Sequence, residues 1–132
     1  AEWEKAARGT DGRLYPWGNS REMFKARAKT VDQQIMKTGT DPVGTFDVAL
    51  SPYGVADLVG NVSEWVSDWY AEDYYRSAPA RDPQGPVRGS FRVLRGSEAG
   101  DHPLESRASY RSWDDMTYWG PSLGIRCAND LP

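Results

Sequence analysis

The clearest periodicity in the chain is NVSEWVSDWY, residues 61–70, where Val62, Glu64, Val66, Asp68 and Tyr70 alternate with Ser63, Trp65, Ser67 and Trp69. A period of two sends alternate side chains to opposite faces, so this segment predicts a strand. FRVLRG (91–96), RASYRS (107–112) and LGIRCA (123–128) predict three more. In the last of these, Leu123, Ile125 and Cys127 share a face, which reads Cys127 as a core side chain rather than a reactive thiol. AEWEKAAR at 1–8 has helical spacing: Trp3, Ala6 and Ala7 share a face, Glu4 and Arg8 stand one turn apart, and Gly9 follows as a stop. The chain opens inside that helix-like segment, as though a preceding portion were missing. GTDGRLYPWGNS (9–20) predicts a loop pinned by aromatics, and 21–40 an irregular connection with a short strand or helical turn at most. Residues 71–90 form a Pro/Gly-rich excursion. The expected architecture is a loop-rich α+β domain over 1–132, with few helices and short antiparallel strands.

Composition narrows the functions open to such a domain. At 132 residues the chain can bury one core, and six Trp and seven Tyr concentrate its apolar area in a few large rings. A net charge of −3, no basic run and only four Lys, all before residue 38, argue against a nucleic-acid partner. No apolar stretch reaches membrane-spanning length, so no membrane insertion is expected, and no targeting segment is read. Cys127 and His102 are single copies, which excludes an internal disulfide, a multi-Cys zinc site and a multi-His metal site. His102 itself reads as an exposed loop histidine.

One tract carries no pattern of its own. LRGSEAGDHPLESR, 94–107, is polar and aperiodic, yet it sits between two patterned segments.

The succession EWEKAARG, YPWG, PVGTF, YGVADLVGNVSEWVSDWY, RVLRG, RASYRS and LGIRCA resembles the sulfatase-modifying-factor family, which includes the formylglycine-generating enzymes. The resemblance implies a variant of the C-type lectin fold over nearly the whole chain, as the C-terminal part of the family domain. Formylglycine-generating enzymes oxidise a substrate cysteine through two active-site cysteines. Asp101 and Ser106 stand in those two places here, and neither can form a thiolate or bind Cu(I) well. The resemblance therefore implies a scaffold with no catalytic residues of that kind and no required cofactor.

Within the family the chain resembles variable proteins of diversity-generating retroelements better than it resembles the enzymes. Their C-terminal templates follow RGGSW, an Asn-rich run, R-A-x-N-R and LGFRC, and adenine-directed mutagenesis alters the first two bases of Asn codons. Gly100, Asp101, His102, Ser106, Tyr110, Ser112, Asp114, Asp115 and Tyr118 are reachable that way, whereas Glu98, Trp113, Met116 and Trp119 are not. RVLRG, Arg107, Arg111 and LGIRC stay on pattern while the positions between them depart, and RGSEA departs from RGGSW. The resemblance implies a variable region at 94–127. Its ligand-binding surface would comprise Glu98, Ala99, Gly100, Asp101, His102, Ser106, Tyr110, Ser112, Trp113, Asp114, Asp115, Tyr118 and Trp119. The partner would be a protein or other macromolecule, and the full-length protein would be a candidate for cell-surface display. Rigid aromatics with adaptable Ser, Gly and Asp are the residue types of antibody paratopes. The competing reading packs Trp113 or Trp119 in the core. Arg107, Arg111 and Arg126 read as structural, paired with carboxylates or carbonyls. A formylglycine-generating oxidase and a structural or regulatory domain of a larger protein stay open as alternatives.

The family's enzymes also hold calcium at the turn matching GNVSEW, which would place Ca²⁺ among Asp57, Gly60, Val62 and Glu64 here. The alternative is that Asp57 caps the turn and Glu64 pairs with an arginine. A second calcium position would need an Asn near KARAKT, 25–30, and none is present.

Overall fold

The computed structural model describes residues 1–22, 39–46 and 49–129. The expected connection over 21–40 and the KARAKT segment fall almost wholly outside them. Among the described residues one helix, α1 (Glu2–Arg8), precedes β1 (Ser63–Trp69), a single 3-10 turn at Tyr74–Arg76, and three further strands. These are β2 (Phe91–Arg95), β3 (Ser112–Asp115) and β4 (Leu123–Ile125). They form one sheet in the order β3-β2-β1-β4. The β1–β2 and β2–β3 pairs are antiparallel, but β4 runs parallel to β1, so the sheet is mixed rather than antiparallel throughout as expected.

Helix α1 ends where its sequence indicates. Gly9 adopts φ +68°, and a Cβ there would lie 2.9 Å from Pro52 Cγ, so both backbone and space require glycine. The apolar core is small. Ala7, Leu58 and Ala108 pack with Trp3 and Val55, while Tyr15 and Val59 pack with Trp17. Charged groups complete it: Glu64 and Arg95 are as buried as the neighbouring Val93 and Leu94. The alternation along β1 therefore does not translate into one wet and one dry face, because Ser63 and Glu64 are both buried.

Two strand expectations need correction. RASYRS forms a turn rather than a strand, with the Tyr110 N–H donating to Arg107 O at 2.8 Å, and β3 begins only at Ser112. The cause is Arg95, whose guanidinium donates to the carbonyls of Ala108, Ser109 and Tyr110 and so draws that backbone out of the ladder. LGIRCA pairs over three residues only. Ile125 is 77% exposed and Cys127 is exposed too, because β4 is an edge strand whose chain leaves the sheet after Ile125.

A candidate display surface

The tract after β2 starts on a fixed backbone. Gly60 N–H donates to Gly96 O at 2.8 Å and also reaches Ser97 Oγ at 3.2 Å, joining the GN turn to the RGS turn. Ser97 sits at φ +64°, a region costly for a residue with a Cβ. Its hydroxyl offsets this by bonding Ser106 Oγ at 3.0 Å. The departure from RGGSW at position 97 thus has a partner at position 106.

From Glu98 onward the chain bonds mostly to itself. Glu98 N–H donates to Asp101 Oδ2 (2.8 Å), His102 N–H to Glu105 Oε2 (3.2 Å), and Arg107 Nε to Leu104 O (2.8 Å). Such local bonds let a loop keep its shape without a core pattern. Beyond the turn, β3 sends Trp113 outward against Phe91 and Tyr70, with ring centroids 4.6 and 5.3 Å away. The Tyr118 N–H donates to Asp115 O (3.0 Å), closing a turn that carries Met116, Tyr118 and Trp119 into solvent. Trp119 is 87% exposed. With Tyr118, Trp65 and Ile125 it borders a shallow cavity of about 250 Å³. The core reading of Trp113 and Trp119 does not hold.

Of the positions expected on this surface, Gly100, His102, Trp113, Asp115, Tyr118 and Trp119 are exposed. Glu98, Ala99, Asp101, Tyr110, Ser112 and Asp114 are half-buried. Ser106 is the exception: it is 1% exposed against Ser97 and cannot face a ligand. Sequence reasoning missed Leu104 and Ile125, both exposed apolar side chains. Position 125 lies in a strand-like pattern, and nothing local to it marks the sheet edge.

The arginines on the family pattern are anchors. Arg111 donates to the carbonyls of Ala71 and Glu72 and lies over the rings of Tyr70 and Tyr75. A cavity of about 920 Å³ lies between α1 and β1, and of residues 98–122 only Arg111 lines it. That cavity is therefore separate from the displayed tract.

Burial raises the Asp101 carboxyl above its ordinary value, helped by Glu98 and Glu105 and opposed by the Glu98 N–H. Tyr110 is raised by burial and by the same acidic neighbourhood, while the Thr117 hydroxyl and N–H lower Asp115. In the unfolded chain Asp101 ionises at the ordinary value. Between that value and the folded one, the native state holds a proton the unfolded state has lost, so acid favours folding there. Above both values its charge opposes folding. Asp101→Asn, whose amide oxygen can still accept from Glu98, should therefore raise the urea midpoint at pH 7. The gain should shrink as pH falls through the carboxylate range. A gain independent of pH would mean that charge is not the cause.

The calcium arrangement does not fit the residues present. Glu64 Oε2 accepts from Trp3 Nε1 (2.7 Å) and Arg126 Nε (3.0 Å), and Oε1 accepts from an Arg126 terminal nitrogen (2.7 Å). That same nitrogen reaches Asp57 O (2.9 Å), and Asp57 Oδ2 accepts the Gly44 N–H (2.7 Å). A guanidinium thus takes both oxygens of the Glu64 carboxylate, as the arginine-pair alternative has it, while the Asp57 side chain ties the turn to Gly44, 13 residues away, rather than capping it. No cluster of three or more His, Cys, Asp or Glu suited to a metal occurs among the described residues. A chelator should leave the melting temperature unchanged. A fall of several degrees that Asp57→Ala abolishes would restore calcium to this turn.

A model of the sulfatase-modifying factor enzyme 1-like domain matches residues 1–131. The formylglycine-generating enzyme of Streptomyces coelicolor is 36% identical over 143 aligned residues, covering 98% of this chain and 45% of that protein. Serine/threonine-protein kinase pkn1 of Chlamydia pneumoniae is 35% identical over 134, covering 99% of this chain and 20% of the kinase. Among solved structures, Treponema denticola variable protein 1 superposes with a TM-score of 0.77 at 27% identity, covering 94% of this chain and 43% of that one. The chain spans less than half the length of each of these relatives.

Proposed function

We propose, from the premise that the chain belongs to the sulfatase-modifying factor enzyme 1-like family and has its C-type-lectin-like fold, that it is a non-catalytic variable protein of the retroelement-diversified kind. Residues 98–122, apart from the buried Pro103, Ser106 and Ala108, form its ligand-binding surface. One observation carries this reading: the anchors hold the tract by its backbone. Arg95 binds the carbonyls of Ala108, Ser109 and Tyr110, and Arg107 binds that of Leu104. Carbonyls are the same whatever side chain a position bears, so side chains can change while the anchors stay satisfied.

Simultaneous changes at His102, Ser112, Asp114, Asp115 and Tyr118 should leave the fold intact, since each surface change shifts stability by no more than about 0.5 kcal/mol, whereas Gly100, at φ +99°, should resist replacement. Urea denaturation of a handful of shuffled variants is the test. If most unfold, the tract is structural and the display reading fails. Ser106→Tyr should unfold where the others do not, because it overfills the Ser97 contact.

The oxidase reading is favoured by identity to formylglycine-generating enzyme and opposed by Asp101 and Ser106, which stand where the family resemblance implies the two cysteines. A Cys-containing sulfatase peptide incubated with copper and oxygen should stay unmodified. Aldehyde formation would reverse that assignment.

A further inference from the structure

The displayed aromatics meet a sheet edge at β4. Tyr118 and Trp119, on the turn after β3, border the shallow cavity of about 250 Å³ together with Trp65 of β1 and with Leu123 and Ile125 of β4. Two glycines shape it. A Cβ at Gly124 would lie 2.7 Å from Val62 Cγ2, so a side chain there would push β4 away from β1. A Cβ at Gly120 would lie 3.4 Å from Tyr118 Oη, so that ring rests over a residue with no side chain. No side chain lining the cavity is charged, although 27% of the chain is. The next charge along the chain, Arg126, is turned to Glu64. Drug-sized ligands take pockets of roughly 300–1,000 Å³, so a smaller cavity suits a single large side chain.

Among the described residues β4 is terminal in the sheet, and its pairing with β1 is parallel. Ser63 N–H donates to Ser122 O at 2.8 Å, a register that turns the main-chain groups of Ser122 and Gly124 toward β1 and those of Ile125 away from it. Leu123 N–H donates back to Gly120 O at 3.2 Å, which leaves Leu123 C=O with Ile125 N–H and C=O on the outer edge. Such edge groups are a template for another strand.

Resting on the display reading, we propose that the cavity and the outer edge of β4 together bind an extended, uncharged segment of another protein. The segment pairs with Ile125 through its main chain and sets one aromatic side chain in the cavity. Strand addition draws affinity from main-chain bonds and specificity from the side chain that a pocket accepts. An aromatic anchor suits a ring-lined wall, because rings attract one another in offset or edge-on contact. A charged anchor would lose its water to a lining that holds no opposite charge. A sugar would need several directed hydrogen bonds, and the lining side chains offer one hydroxyl and two indole N–H groups, with no carboxylate or amide.

A ¹H–¹⁵N NMR titration of the folded protein with capped Ser/Thr heptapeptides tests this. One peptide carries a central Trp, one has Ala in its place, and one keeps the Trp but has alternate main-chain nitrogens methylated. The Trp peptide should saturate, shift the Ile125 amide and the Trp119 indole N–H, and bind equally at low and high salt. The Ala peptide should bind about tenfold more weakly, as loss of an anchor does, and the methylated one about fivefold more weakly. Trp119→Ala should weaken the Trp peptide about tenfold without altering the rest of the spectrum, since that ring is exposed. Tyr53→Ala, which removes an exposed ring outside the site, should leave binding unchanged. Equal affinity for the Trp and Ala peptides, or an unmoved Ile125 amide, overturns the proposal. Maltohexaose shifting the same resonances where the peptide does not would make the ligand a carbohydrate and overturn it too. Sedimentation showing a dimer that Trp119→Ala dissolves would overturn it in favour of a second copy. If the shuffled variants fold but the parent protein ignores the Trp peptide, this occupant fails and the display reading stands. If the shuffled variants unfold, both fail.

Discussion

Arg95→Met is expected to cost about 3–5 kcal/mol, the penalty for breaking a buried charge network by removing one partner. The Arg95 side chain is 5% exposed and donates to Glu4 Oε2 at 2.8 Å and to three successive carbonyls. It also lies 5.0 Å from the centroid of the Trp3 ring. Methionine fills much of the stem's volume, so the loss measures the guanidinium rather than a cavity. The orphaned groups are carbonyls that no longer have a donor and a carboxylate left with Arg8 alone. A domain of this size holds roughly 5–15 kcal/mol in total, so the variant should be marginal at 25 °C. Urea denaturation with unchanged slope and a strongly lowered midpoint is the expected record. Arg95→Lys should recover only part, since one ammonium cannot span three carbonyls and a carboxylate. A loss below about 1 kcal/mol would mean that water reaches those carbonyls and that the tract is not anchored as described.

Glu64→Ala should cost somewhat less, about 2–4 kcal/mol. Its carboxylate is the meeting point of three elements: Trp3 on α1, Glu64 itself on β1, and Arg126 just after β4. The Arg126 side chain is a third exposed, so water can take over part of its hydrogen bonding once the carboxylate is gone. Trp3 Nε1 loses its 2.7 Å acceptor in the same change. A double-mutant cycle with Arg126→Met isolates the pair: a coupling of 1 kcal/mol or more supports a structural bridge. Coupling near zero, with Glu64→Ala still costly, would assign the effect to Trp3 instead. Glu64→Gln keeps one acceptor and should fall between.

Much of this was readable from short segments. Three of the four strands lie within segments whose alternation or β-branched content indicates them, and α1 stops at the glycine that ends its pattern. The exposed tract was legible through its lack of pattern, as were Arg111 and Arg126 as structural groups. The errors share a cause. RASYRS has a strand's composition, but its carbonyls belong to a side chain more than ten residues away. Cys127 and Ile125 continue an apolar alternation that the sheet does not cover. Ser106 looks like any polar loop residue until Ser97 is placed against it.

By itself the sequence determined the local choices: where backbone must turn, where it can extend, and where no core face exists. It also set the inventory that excludes a disulfide, or a multi-Cys or multi-His metal site, made within these 132 residues alone, because absent atoms stay absent in any fold. Burial, strand direction and the state of Glu64 were decided only in three dimensions. Glu64 has the same carboxylate whether a cation or a guanidinium faces it, and which one does depends on where β4 delivers Arg126. That delivery rests on the parallel pairing of Ser63–Trp65 with Leu123–Ile125, a contact between segments some 60 residues apart. Periodicity reports which way a side chain points relative to its neighbours in the chain. It does not report what stands opposite, and in this protein the groups standing opposite are what make a polar tract an anchored surface.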